Sequence, residues 1–211
     1  MTWQPRLPQD IEDESFRRIE ALVGAHKFSP EDWFVVRRMV HTTADLEYLE
    51  NVRLHARAVA AGVAALQAGR PVATDTRMLL AGISTGRLSR LRVEAFSILD
   101  DPQVGTLAAS QGTTRTAAGV DLALPRLAGG IMAIGNAPTA LLRLLELLEG
   151  GAPPPALIIG VPVGFVNAAE SKEALSHVDI PYITALGPKG GSAVAASVVN
   201  ALAILALKEA K

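Results

Sequence analysis

Proton transfer near neutral pH is best served by an imidazole. The histidine of most interest lies in Arg37-Arg38-Met39-Val40-His41-Thr42-Thr43. That stretch reads as the end of a helix, and two opposed effects act on the ring. Arg37 and Arg38 disfavour the imidazolium, whereas the helix C-terminus favours it. General acid is one reading of His41; the plainer one is a ring that caps the last carbonyls of its helix. His26, His55 and His177 fall in polar helical contexts with less to recommend them.

A second feature is the run Gly187-Pro188-Lys189-Gly190-Gly191-Ser192. Lys189, two glycines and Ser192 stand where a helix starts, so free N–H groups and a hydroxyl can hold a carboxylate or phosphate. The alternative is a tight turn with Ser192 as N-cap. The run is only faintly similar to a phosphate loop, because its lysine precedes the last glycines. Two other helix starts carry charge. Lys172, in Glu170-Ser171-Lys172, is either a solvated residue or a substrate-facing amine. Arg115, in Gly112-Thr113-Thr114-Arg115, is either a surface residue or a carboxylate clamp.

Other chemistries are excluded. The chain has no G-x-G, H-E-x-x-H or G-x-S-x-G. It has no cysteine, which removes disulfides, thiolate nucleophiles, iron–sulfur clusters and Cys-based zinc sites. Histidines and acids show no metal-ligand spacing, so no metal and no cofactor is expected.

Those residues must be positioned by regular elements, and the sequence marks most of them. Asp10 to His26 is an amphipathic helix with Phe16, Ile19, Leu22 and Val23 on one face. Ser29-Pro30-Glu31-Asp32 is an N-cap, a proline at the first helical position and first-turn acids, opening a helix to about His41. Thr42 and Thr43 end it by bonding to the backbone. A long Ala-rich helix is expected from Asn51 to Ala68, with Gly69 as its stop. Pro71 to Thr74 leads into a short helix ending near Gly82, Leu91 to Leu99 reads as a strand, and Thr113 to Leu124 as a helix.

One pattern then occurs three times: an apolar run ends in glycine and a helix follows. Ile131 to Gly135 precedes a helix Pro138 to Glu149. Leu157 to Gly160 precedes a loop and a helix Ala168 to Ser176. Tyr182 to Gly187 precedes a helix Ser192 to Leu207. Near-continuous apolar strands alternating with helices predict an α/β fold. The expected architecture is a single domain over residues 1–211, mainly a parallel sheet with helices on both faces, and a helical N-terminal segment. Ligands of such sheets bind beyond the carboxyl ends of the strands, where all three glycine turns lie.

Composition narrows the function classes. The 20 Lys and Arg nearly cancel the 21 Asp and Glu, so there is no basic surplus of the kind nucleic-acid binders carry. No uncharged run reaches the roughly 18 residues of a membrane span, and Ser192 to Leu207 reads as a buried helix. Met1-Thr2-Trp3-Gln4-Pro5-Arg6 lacks the apolar core of a signal peptide. A soluble, cytoplasmic protein is expected.

Taken together, several stretches resemble the precorrin-8X methylmutase family, also called precorrin isomerase. They are Glu14-Ser15-Phe16, Val36 to His41, Thr74-Asp75 with Met78 and Gly82, Thr114-Arg115, and Ala133 to Ala140. Gly160 to Val166, Ala169 to Lys172, Lys189 to Ser192 and Asn200-Ala201-Leu202 complete the set. The resemblance runs from about Ser15 to Leu202. One departure is that Leu186-Gly187-Pro188 stands where the family often shows Arg-Gly-Arg, which leaves Lys189 as the basic residue of that loop. The resemblance implies a homodimeric cobalamin-pathway isomerase, free of metal and organic cofactor. It would move a methyl group from C-11 to C-12 of precorrin-8X or cobalt-precorrin-8. It places the family's catalytic histidine on His41 and its substrate-contacting serine, arginine and lysine on Ser15, Arg115 and Lys172. Lys189 and Ser192 are expected to hold carboxylate arms of the substrate. The expected partners are the substrate, a second copy of the chain and neighbouring enzymes of the pathway, with no nucleic acid and no membrane. A non-catalytic tetrapyrrole carrier and an enzyme acting on a small phosphate ester are the alternatives.

Overall fold

The computed structural model describes residues 7–209, for Glu209 the backbone only, so the expectation for Met1 to Arg6 lies outside the described residues. Helices α1 (Pro8–Val23) and α2 (Pro30–Thr43) come first, then a helical turn α3 (Tyr48–Asn51), strand β1 (Val52–Leu54) and α4 (Ala58–Gln67). Strand β2 (Val72–Thr74), α5 (Arg77–Gly82), α6 (Thr85–Arg90), β3 (Ala95–Ser97), α7 (Val104–Gln111) and α8 (Arg115–Ala123) follow. The three glycine-ended units close the chain: β4 (Ile131–Ile134) with α9 (Pro138–Glu149), β5 (Leu157–Gly160) with α10 (Ala168–Ser176), and β6 (Tyr182–Ala185) with α11 (Ser192–Glu209).

All six strands join one sheet in the order β1-β6-β5-β4-β2-β3. Only the β1–β6 pair is antiparallel; the other four pairs are parallel. Strand residues alternate between two cores, as a period of two requires. Val72, Ile131, Ala133, Leu157, Ile159 and Ile183 face α2, α4 and α11. Ala73, Met132, Ile134, Ile158 and Tyr182 face α8, α9 and α10. Burial on both faces explains why the strands read as unbroken apolar runs.

Local signals act where expected. Ser29 Oγ accepts from the Asp32 N–H at 3.1 Å, and Thr43 Oγ1 donates to the Met39 carbonyl at 2.9 Å. Gly24 ends α1 at φ +64°, so the helix expected to run to His26 stops at Val23, and Leu22, expected on its apolar face, is exposed instead. Three further expectations are corrected. The helix from Asn51 does not exist in its first half. Val52, Arg53 and Leu54 pair with Ala185, Thr184 and Ile183 instead, and helix begins only at Ala58. The ladder hydrogen bonds offered by β6 outweigh the few tenths of a kcal/mol per residue that separate helix propensities. The strand from Leu91 shrinks to Ala95–Ser97, because Leu91 closes α6 and Arg92 turns at φ +56°. Helices α6 and α7 were not expected at all. Both are short, and α7 carries an interior glycine.

Candidate functional site

At the carboxyl edge of the sheet the loops after β4, β5 and β6 are bonded to one another. Val163 N–H donates to Gly135 O at 3.3 Å, Gly191 N–H to Val161 O at 2.9 Å, and Gly164 N–H to Pro188 O at 3.1 Å. The packing leaves no room for side chains at two positions. A Cβ on Gly190 would stand 2.1 Å from the Val161 carbonyl oxygen, and one on Gly135 would stand 2.7 Å from Ser192 Cα. Glycine is required there by backbone-to-backbone approach.

Asp75, next after β2, is fully buried at this edge. Its Oδ2 accepts the N–H groups of Asn136 at 2.7 Å and Ala137 at 2.8 Å, just ahead of α9. Its Oδ1 has no hydrogen-bond partner among the described residues. Burial pushes the carboxyl above its ordinary range, against the pull of the Ala137 and Asn136 N–H groups. The matching motif contained Thr74-Asp75, yet nothing local signalled that the carboxylate anchors a turn sixty residues away.

Both lysines are engaged by groups of the protein itself. Lys172, on α10, is fully buried and donates to the Lys189 carbonyl at 2.6 Å. Burial lowers its amine to about 8, as expected for an ammonium stripped of water without a carboxylate partner. The solvated reading does not describe it. Lys189 extends the other way and pairs with Asp45 and, at 2.8 Å, with Glu47. These hydrogen bonds hold the Lys189 amine above its ordinary value, and the Lys189 bond holds the Asp45 carboxyl below its own. Ser192 is not an N-cap. It is the first residue of α11, Gly191 O accepts from Ala195 N–H at 3.0 Å, and the serine hydroxyl lies 3.2 Å from that of Thr76.

His41 lies in the last turn of α2, exposed, with its ring edge-on to Phe16 of α1 at 5.2 Å between centroids. The charges expected to weigh on it are compensated: Arg37 pairs with Glu20 at 2.7 Å and Arg38 with Glu12 at 3.0 Å. Both guanidiniums also lie over the Phe16 ring. Ser15, beside Phe16 in the chain, is half-buried and donates to Ile11 O at 2.8 Å. Through Asp45 and Glu47, Lys189 ties this end of α2 to the carboxyl edge. Arg115 reaches the same edge from the other face of the sheet. It is the first residue of α8, exposed, and the adjoining Thr114 and Thr116 bond Thr139 at 3.0 and 3.1 Å near the start of α9. It makes no ion pair among the described residues. A lone cation at a helix N-terminus opposes the dipole, so an anion there would relieve it.

An apolar rim went unassigned in the sequence. Phe165 is 96% exposed and Val166 77%, with Val163 in the same loop after β5; Met78 on α5 is 76% exposed, and Leu46 in the turn after α2 is exposed as well. Large apolar groups left in water at a ligand edge mark a surface built to be covered. Arg37, Arg38, Arg87 and Arg90 line a separate cavity of about 440 Å³ between α1, α2, α6 and α11, which meets the His41 neighbourhood through Phe16.

Fold and site thus define an α/β scaffold that presents an exposed imidazole, a cation and exposed apolar side chains at its sheet edge. The model of the family described as CbiC, precorrin-8X methylmutase, matches residues 10–205. The chain is 41% identical to a cobalt-precorrin-8 methylmutase of Priestia megaterium over 94% of this chain and 88% of that one. It is 43% identical to a precorrin-8X methylmutase of Sinorhizobium sp over 92% of each. A crystal structure of precorrin-8x methyl mutase from Thermus thermophilus superposes with a TM-score of 0.87 at 42% identity, covering 94% of this chain and 98% of that one. The chain belongs to the precorrin-8X methylmutase family, isomerases of cobalamin biosynthesis. Among the described residues no helix is long and apolar enough to cross a membrane.

Proposed function

We propose that the protein moves a methyl group from C-11 to C-12 of precorrin-8X or cobalt-precorrin-8, with His41 as the general acid. The supporting observation is the setting of His41: exposed, buttressed edge-on by Phe16, and on the end of α2 tied to the sheet edge. The reaction is a 1,5-sigmatropic shift, in which the C-11–methyl bond breaks as the C-12–methyl bond forms. A proton or strong hydrogen bond from His41 to the ring C nitrogen withdraws electron density and lowers the barrier. Because substrate and product are isomers, a proton lent is returned before release. One well-placed acid supplies roughly 10²–10⁴-fold, and holding the ring in its reactive shape supplies more.

Arg115 is the proposed clamp for a peripheral carboxylate, and Ser15 the contact on the α1 side. Met78, Phe165 and Val166 suit the flat face of the macrocycle. The protein works as a homodimer, which accounts for Ile11 and Leu22 on α1 and Leu7 at its N-cap, all exposed at helical spacing. Purified protein incubated with precorrin-8 tests the reading. Conversion of the absorption spectrum to that of the rearranged product is expected, whereas an unchanged bound ring identifies a carrier.

A further inference from the structure

We propose that Lys172, Lys189 and Asp45 are positioning residues that fix the catalytic end of α2, rather than contacts for the carboxylates of the substrate. This inference rests on the functional reading of His41 given above. The chain of contacts is continuous. The Lys172 amine, fully buried on α10, holds the backbone carbonyl of Lys189 at 2.6 Å. The backbone on either side is fixed as well, by Gly164 N–H on Pro188 O and Gly191 N–H on Val161 O. From this anchored loop the Lys189 side chain crosses to Asp45 and Glu47. Asp45 lies two residues beyond the last residue of α2 and four beyond His41. Its own N–H donates to Thr43 Oγ1 at 3.3 Å, and Thr43 is bonded to Met39 O in the turn that carries the histidine.

The alternative, a lysine clamp for substrate, fits the geometry less well. Lys172 has no exposed surface. Lys189 is the basic residue of its loop, and two carboxylates already neutralise it. A substrate carboxylate would have to displace both and leave Asp45 and Glu47 facing one another without their cation. Exposed ion pairs of this kind are screened by water and pay side-chain entropy to form, so the link matters little for folding. It is strong enough to select one placement of a helix end, and a displacement of about 1 Å at a catalytic group costs up to ~10²-fold in rate.

The test is a set of variants: Lys189→Met, Asp45→Asn, the double variant, and Lys189→Arg as the conservative replacement. Positioning predicts a fall in kcat of roughly tenfold for Lys189→Met and for Asp45→Asn, with KM nearly unchanged. The double variant should be no worse than either single one, and Lys189→Arg should recover most of the rate. Each single variant should also shift the His41 ring signal in the ¹H–¹³C NMR spectrum of the ligand-free protein, assigned from its loss in His41→Ala. A clamp predicts the reverse: Lys189→Met raises KM, and Asp45→Asn is silent or lowers KM by freeing the amine. That pattern, or an unmoved His41 signal in both variants, overturns the proposal. Should wild-type protein fail to convert precorrin-8 while the His41 signal still responds, the functional reading falls and the positioning role stands.

Discussion

Two parts of the site are held in different ways. The platform made by the loops after β4, β5 and β6 is fastened by buried backbone hydrogen bonds and by glycines with no space for a methyl group. The His41 ring, by contrast, is exposed and rests edge-on against one phenylalanine, on a helix whose other face is buried through Met39 and Val40, and the turn after that helix is joined to the platform through the side chain of Lys189. Backbone bonds and close packing set the fold, so the platform cannot change without cost to stability. Exposed, solvent-screened contacts cannot set the fold, but they can set where a proton donor stands. Changes to the platform should therefore register as unfolding, and changes at the α2 end as lost turnover.

The sharpest contrast is between Gly190 and His41. Gly190→Ala drives a methyl group to 2.1 Å from a carbonyl oxygen that is itself fixed in the loop after β5, where no rotamer offers escape. The expected outcome is loss of soluble protein, or a stability loss on the order of 3 kcal/mol or more by urea denaturation. A Gly190→Ala protein as stable as the wild type would remove the distinction between the two regions. His41→Ala should instead leave the unfolding free energy from urea titration unchanged within about 0.5 kcal/mol, because the ring is exposed. Its turnover should fall roughly 10²–10⁴-fold while product binding persists. Normal turnover by that variant would end the general-acid role.

The legibility of the sequence divides along the same line. Ile131–Ile134, Leu157–Gly160 and Tyr182–Ala185 announce themselves because strands buried on both faces must be apolar throughout, and the glycines behind them mark the edge where ligands bind. Ser29-Pro30 is a local signal, and α2 begins there. Strand β1 stayed hidden because Val-Arg-Leu next to an Ala-rich run has no strand pattern of its own; β6 supplies its hydrogen bonds from far along the chain. The same holds for the site. His41 was visible as a titratable group at a helix end. The partners of Lys189 and Asp75 were not, since each lies more than fifty residues away. Lys172 was the hardest case, because Glu170-Ser171-Lys172 is polar in sequence yet the lysine ends with no exposed surface.

That burial gives the third prediction, within the platform itself. The Lys172 amine titrates near 8 in the folded protein and near 10.5 when unfolded. Between those values the unfolded chain binds more protons, so the unfolding free energy rises with pH. The cost of burying the ammonium is fully present below pH 8 and is relieved as pH climbs toward 10.5, by on the order of 3 kcal/mol over the interval. Lys172→Met has no such group. The stability difference between wild type and this variant, from urea titrations at pH 7, 8.5 and 10, should move in favour of the wild type as pH rises. A pH-independent difference would show that the amine is better solvated than its surroundings imply.

The smallest effect is expected at Arg115, which belongs to the edge but is bound to neither part of it. Its exposed side chain makes no ion pair among the described residues, and the residue sits at the positive end of α8, where its charge is mildly unfavourable. Arg115→Ala should therefore leave the protein as stable as before or slightly more so, within about 0.5 kcal/mol. If it grips a carboxylate, a charge-assisted hydrogen bond of about 1.5–3 kcal/mol is lost on binding, which raises KM by roughly ten- to a hundredfold with kcat little changed. Added salt should weaken binding to the wild type more than to the variant, because only the former relies on this exposed charge. The contrast with His41→Ala is then complete, one variant losing rate without affinity and the other affinity without rate. An Arg115→Ala enzyme with unchanged KM would move the carboxylate contact to another cation, and the basic cavity beside Phe16 would be the place to look for it.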